Sequence, residues 1–91
     1  MGGPGTMNAT LVKGPNCRAC DEFLQILQEA AKKHTFVIQV ANAEDEPELV
    51  KKFNIRSVPT TIIHCKGSIY TIVGKISPER LEKMFKNWGC T

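Results

Sequence analysis

The chain reads as an α/β domain of order βαβαββα, a four-stranded mixed sheet with helices able to cover both of its faces. Three observations lead there. Apolar or β-branched runs alternate with stretches of helical periodicity. The first two strand-like runs are joined by a helical stretch long enough for a parallel crossover, and the last two only by Lys66-Gly67, a two-residue hairpin connection. The 91 residues leave room for one domain, and 42% hydrophobic content is ordinary for a globular chain.

Met1 to Thr6 carry no apolar residue after Met1 and lack the basic start and apolar run of a signal peptide. Residues 1–7 are therefore expected to be a flexible leader or cloning remnant, with Met7 as a native start, residues 8–88 the domain and 89–91 a tail. Asn8 to Lys13 reads as a short strand with Leu11 and Val12 as its apolar pair. Gly14-Pro15 punctuates, and Phe23, Leu24, Leu27, Ala30 and Ala31 then fall at helical spacing up to about Lys33. His34 fits a helix end, where the dipole favours a cation, better than a metal ligand, because nothing nearby completes a site. Thr35 to Val40 is a nearly continuous β-branched run, the pattern of a strand buried in a parallel sheet.

Asn42 to Glu46 forms an acidic connection, and Pro47 opens a second helix with Leu49, Val50 and Phe53 on one face. Glu44 to Glu48 is read as charge complementing a helix start, in preference to a divalent-ion site. Thr60 to His64 is a β-branched strand preceded directly by Pro59, and Ser68 to Val73 returns antiparallel to it before Gly74. Ser77 is placed to cap a last helix, with Pro78 in its first turn and Arg80 where a capping box would carry Glu. Leu81, Met84, Phe85 and Trp88 make its core stripe, with Trp88 expected to be partly exposed.

The net charge of +3 does not point to nucleic acid, because Lys32-Lys33, Lys51-Lys52, Lys83 and Lys86 are interleaved with Glu29, Glu48 and Glu82 as on a solvated helix face. No run approaches a membrane span. A soluble, cytoplasmic monomer with no membrane partner is expected.

The chemistry concentrates in Cys17-Arg18-Ala19-Cys20, where an extended segment turns into a helix. Unpaired N–H groups and the positive end of the dipole at a helix start favour thiolate over thiol, and the cation of Arg18 would add to this tuning. A free thiol of pKa ~8.5 is only a few per cent ionised at pH 7, whereas such cysteines fall to ~7 or below. This points to dithiol–disulfide exchange, with Cys17 attacking and Cys20 resolving.

Three stretches resemble the thioredoxin and glutaredoxin superfamily from about Leu11 to Lys86: Cys17-Arg18-Ala19-Cys20, Phe53 to Thr61, and Val73-Gly74 followed by Ser77-Pro78-Glu79-Arg80-Leu81. The resemblance is to the compact, glutaredoxin-like redoxins, since the first strand and helix of full-length thioredoxins have no counterpart. It implies a thioredoxin-like fold, a cis peptide before Pro59 beside the two sulfurs, and a Val58 backbone that pairs with a substrate chain as an added strand. It also implies disulfide-containing protein substrates, no cofactor, no metal, and either thioredoxin reductase or glutathione as reductant. Several positions depart from the family. Asn16 stands where thioredoxins carry Trp, the dipeptide between the cysteines is Arg-Ala, and Leu11 occupies the place of a buried carboxylate. Gly74-Lys75-Ile76-Ser77-Pro78 replaces the Gly-Gly-Asp pattern with which glutaredoxins hold glutathione, although Lys13 is available for a carboxylate.

Cys65 is expected to be an ordinary strand thiol and Cys90 a free tail thiol. A zinc site joining them to Cys17 and Cys20 is disfavoured because zinc ribbons bring two C-x-x-C knuckles and this chain has one. A deaminase would need a His-x-Glu upstream of the pair, and no histidine precedes Cys17. A non-catalytic adaptor of the same fold stays open as a third reading.

Overall fold

In the computed structural model, which describes residues 7–90, β1 (Met7–Lys13) leads through α1 (Arg18–His34) to β2 (Val37–Asn42). A 3-10 turn (Ala43–Asp45), α2 (Pro47–Lys52), β3 (Thr60–Cys65), β4 (Ser68–Val73) and α3 (Pro78–Asn87) complete the chain. Residues 1–6 of the expected leader lie outside the described residues, while Met7 is the first residue of β1 and is buried.

Local signals account for most element boundaries. In α1 the buried residues Cys20, Phe23, Leu27 and Ala30 recur every three or four positions, so they form one stripe. Lys32, Lys33 and His34 occupy its last turn, and Thr35 then enters the left-handed region at φ 57° and donates its N–H to the Ala31 carbonyl at 2.7 Å. The β3–β4 hairpin turns on Lys66 and Gly67, both at positive φ, which matches the twist of the paired strands. In α3 the Ser77 hydroxyl accepts from the Arg80 N–H at 3.1 Å. Ser77→Ala is expected to cost about 1 kcal/mol, readable as a lower urea midpoint with unchanged slope.

The sheet order is β2-β1-β3-β4, parallel between β1 and β2 and antiparallel elsewhere. Strand alternation assigns its faces. Met7, Ala9 and Leu11 of β1, in register with Cys65, Ile63 and Thr61 of β3, point to the side where α1 and α3 pack. Phe23 and Leu27 from α1 and Leu81 and Phe85 from α3 close that core, each 1% exposed or less. Val12, Thr60 and Ile62 point to the opposite side and are also buried. The connection from Ala43 to Val58, which includes α2, is the described segment left to cover them.

One expectation is corrected. β2 is an edge strand, not a buried one, and Val37 and Val40 are 64% and 49% exposed. A β-branched run reports that the backbone is extended. It does not report how many neighbours the strand has, and β3 takes the other side of β1.

Candidate functional site

Strand register places the site. Val12, Thr60 and Val73 are aligned across β1, β3 and β4, so the residues just beyond them, 13–17, 58–59 and 74–75, emerge at one end of the sheet. The first of these segments turns through Gly14 and Asn16, the latter at φ 51°, a conformation that asparagine tolerates. Cys17 follows as the extended N-cap of α1, with φ −105° and ψ 98°. Its Sγ accepts the Cys20 N–H at 3.1 Å, so the sulfur occupies the place of a capping oxygen at the positive helix end. Cys17 and Cys20 are joined as a disulfide with Cα atoms 5.2 Å apart. Cys17 is half-buried, whereas Cys20 is 0% exposed. The Cys20 sulfur is therefore closed to a reagent from outside, whereas Cys17 keeps part of its surface exposed.

The second segment is locked against the first. The Val58–Pro59 peptide is cis and Pro59 is fully buried. Gly14 leaves room for Val58, since a Cβ at residue 14 would lie 3.1 Å from Val58 Cγ2. The Thr60 hydroxyl donates to the Ser57 carbonyl at 2.7 Å, and the Gly74 N–H donates to the Pro59 carbonyl at 2.8 Å, which ties in the third segment. Val58 itself makes none of the loop backbone hydrogen bonds among the described residues. Beside it, a groove runs between the Gly14-Pro15 turn and α2, with Pro47, Val50 and Ile55 as apolar lining and Glu44 and Arg56 as its charged members. A larger groove follows the seam between α1 and α3 and contains neither sulfur.

Charged side chains surround the helix start. Arg18 is 92% exposed and turned along the helix, with its Nε 3.5 Å from Glu22. Lys75 Nζ donates to the same carboxylate at 2.8 Å, so Glu22 fastens the Gly74 loop to α1. The Lys75 hydrogen bond first, and then the neighbouring charges of Lys75 and Arg18, hold the Glu22 carboxyl below its ordinary 4.5. A folded-state value below the unfolded one means that this contact contributes stability above the ordinary value and loses it as pH falls through the lowered one. Lys75→Met is expected to move the Glu22 carboxyl titration back toward 4.5, as followed by NMR. Lys13 Nζ lies 3.7 Å from Asp21, so the cation considered for a carboxylate ligand already has an acidic neighbour.

The structure thus joins Cys17 to Cys20, sets Val58 and Pro59 at the same end of the sheet, and places Arg18 beside Glu22. Two further contributors were not singled out from the sequence. The Lys75–Glu22 clamp joins residues 53 positions apart and left no local trace, while the space-making role of Gly14 could be suspected only from its position between a strand and Pro15.

The expected free thiols are corrected. Cys65 and Cys90 are paired as a second disulfide, with Cα atoms 5.8 Å apart, and are 3% and 7% exposed. They close at the far end of the sheet, which no local reading of two isolated cysteines could foresee. Among the described residues no helix is long and apolar enough to cross a membrane.

Comparison with known proteins agrees with this architecture. A thioredoxin from Alicyclobacillus acidocaldarius subsp. acidocaldarius is 32% identical over 69 residues, which are 72% of this chain and 66% of that protein. The chain thus spans about two thirds of the length of that relative. A solved structure described as that of a malarial protein superposes with a TM-score of 0.78 over 90% of this chain and 96% of the other, at 18% identity, which speaks for the fold alone. Residues 7–86 match the thioredoxin domain family, and with nearly the whole described chain under that match, the chain belongs to it.

Proposed function

We propose that the chain is a thiol–disulfide oxidoreductase that reduces disulfides in protein substrates. The observation that carries this is the asymmetry of the pair: a reachable Cys17 at the N-cap of α1, bonded to a buried Cys20 one turn further in. In the reduced protein the Cys17 thiolate attacks one sulfur of a substrate disulfide. A mixed disulfide forms, and the other substrate sulfur leaves and takes up a proton. Cys20, losing its proton, then attacks Cys17 Sγ, which closes the Cys17–Cys20 bond and releases the second substrate thiol. The substrate has gained two electrons and two protons.

The side chains around the pair have roles in the same scheme. The helix N-terminus stabilises the Cys17 thiolate, and Arg18 adds positive potential that its pairing with Glu22 moderates. Val58, with its backbone free of loop hydrogen bonds, pairs with the extended substrate segment, and the cis peptide before Pro59 sets that backbone at the end of the sheet from which the Cys17 segment emerges. The groove lined by Pro47, Val50 and Ile55 takes an apolar substrate side chain.

The resulting disulfide needs a reductant, either thioredoxin reductase or glutathione. Lys13 stands 3.7 Å from Asp21, and Gly74 is followed by Lys75 on Glu22 in place of the Gly-Gly-Asp pattern, which favours thioredoxin reductase over glutathione. Insulin reduction driven by thioredoxin reductase is therefore expected to be sustained, and the parallel reaction with glutathione and glutathione reductase to run at background rate. Turnover only with glutathione would place the chain with glutaredoxins, and turnover with neither would leave the adaptor reading. The cytoplasm suits the reductive direction. A cross-linked Cys65–Cys90 pair instead suits an oxidising compartment, and alkylation of thiols at the moment of cell lysis decides between them.

A further inference from the structure

The two disulfides sit in opposite physical settings. Cys17–Cys20 lies where β1 ends and β3 begins, at the N-terminus of a helix. Cys65 is the last residue of β3, in register with Met7 and Ser68, and β3 carries it roughly 17 Å from Thr60 at the usual rise per residue. Cys90 follows the C-terminus of α3. There Gly89, at φ 71°, donates its N–H to the Lys86 carbonyl at 3.1 Å, and Cys90 donates to that of Phe85 at 2.9 Å. This left-handed turn folds the chain back and delivers the Cys90 sulfur to the sheet end. The Trp88 ring, stacked on Tyr70 at 4.3 Å, holds the same turn down.

Helix polarity then acts on the two pairs with opposite sign. Opening a disulfide yields thiolates, which the positive end of α1 stabilises at Cys17 and the negative end of α3 disfavours at Cys90. A pair whose reduced form is stabilised is the easier one to reduce. Access adds a kinetic difference in the same direction. Thiolate attack needs approach to a sulfur, and Cys65 and Cys90 are 3% and 7% exposed.

We propose that Cys65–Cys90 is a permanent cross-link, outside the electron path, that stays oxidised while Cys17–Cys20 cycles. It clamps the end of α3 and the β3–β4 hairpin to the sheet, so that the fold does not depend on the redox state of the reactive pair. Reduction of Cys17–Cys20 by an external dithiol transfers two electrons and two protons to these sulfurs and converts the reductant to its disulfide. None of these electrons or protons is passed on to Cys65–Cys90.

Folded, fully oxidised protein equilibrated across a series of reduced and oxidised dithiothreitol ratios, then alkylated and peptide-mapped by mass spectrometry, tests this. Cys17 and Cys20 are expected to be half-labelled at a ratio at least about tenfold lower than Cys65 and Cys90. Joint titration of all four, earlier labelling of Cys65 and Cys90, or their recovery as thiols after refolding in a glutathione redox buffer would overturn the assignment. This readout needs no turnover, so it stands or falls apart from the proposed activity. A Cys65→Ser/Cys90→Ser double variant is expected to melt at lower temperature and, where it remains folded by circular dichroism, to reduce insulin within about twofold of wild type. A folded double variant with activity lost would place the pair in the electron path and also overturn the proposal.

Discussion

Cys17→Ser is expected to reduce insulin disulfides at below about 1% of the wild-type rate, because a hydroxyl is not ionised at neutral pH and Cys20 is too deeply buried to attack in its place. Cys20→Ser is expected to fail at a different step. Its Cys17 still attacks, but nothing resolves the adduct, so a mixed disulfide with substrate accumulates and runs as a dithiothreitol-sensitive band of higher mass on a non-reducing gel. If Cys17→Ser traps substrate and Cys20→Ser does not, the two roles are exchanged. If both variants bind a partner as tightly as the wild type and the wild type turns nothing over, the pair is a fossil on an adaptor.

Phe85→Ala is expected to produce the largest loss of stability of any single core truncation in α3. Phe85 is 0% exposed, and its ring meets those of Phe36 at 5.7 Å and 83°, His34 at 5.9 Å and 89°, and Trp88 at 6.4 Å and 54°. Edge-on contacts of this kind add to the apolar area removed from water, and truncating a buried Phe leaves a cavity the neighbours fill poorly. The expected cost is about 3–5 kcal/mol, against a total of roughly 5–14 kcal/mol for a domain of this size. Equilibrium urea unfolding of the oxidised protein measures it, and calorimetry should show a fall of roughly 12 °C or more. Val37→Thr on the exposed edge of β2 serves as the control and should stay within about 0.5 kcal/mol. A loss below about 1 kcal/mol for Phe85→Ala would mean that the seam between α1, α3 and the sheet is looser than the ring contacts indicate.

Much of the fold was legible because its signals are local. The helical spacing of Phe23, Leu27 and Ala30, the Lys66-Gly67 hairpin and the Ser77-Pro78 helix start each depend on a few neighbouring residues, and each reappears in the structure. The pairing of Cys17 with Cys20 was legible for the same reason, since they lie three positions apart at a helix start. The elements that were misjudged depend on partners distant in the chain. β2 was given the wrong burial because strand order is a choice among all strands. Cys65 and Cys90 were given the wrong state because their separation of 25 residues carries no distance information.

By itself, then, the order of residues determined which segments extend, which coil, and where a cysteine sulfur would meet a helix terminus, since torsional preference and side-chain period act within a turn or two. Only the tertiary structure decided that β2 lies at an edge, that Lys75 clamps Glu22, that Gly14 leaves space for Val58, and that two distant cysteines close the far end of the sheet. Those features come from competition among whole elements to bury apolar surface, and that competition is settled in three dimensions.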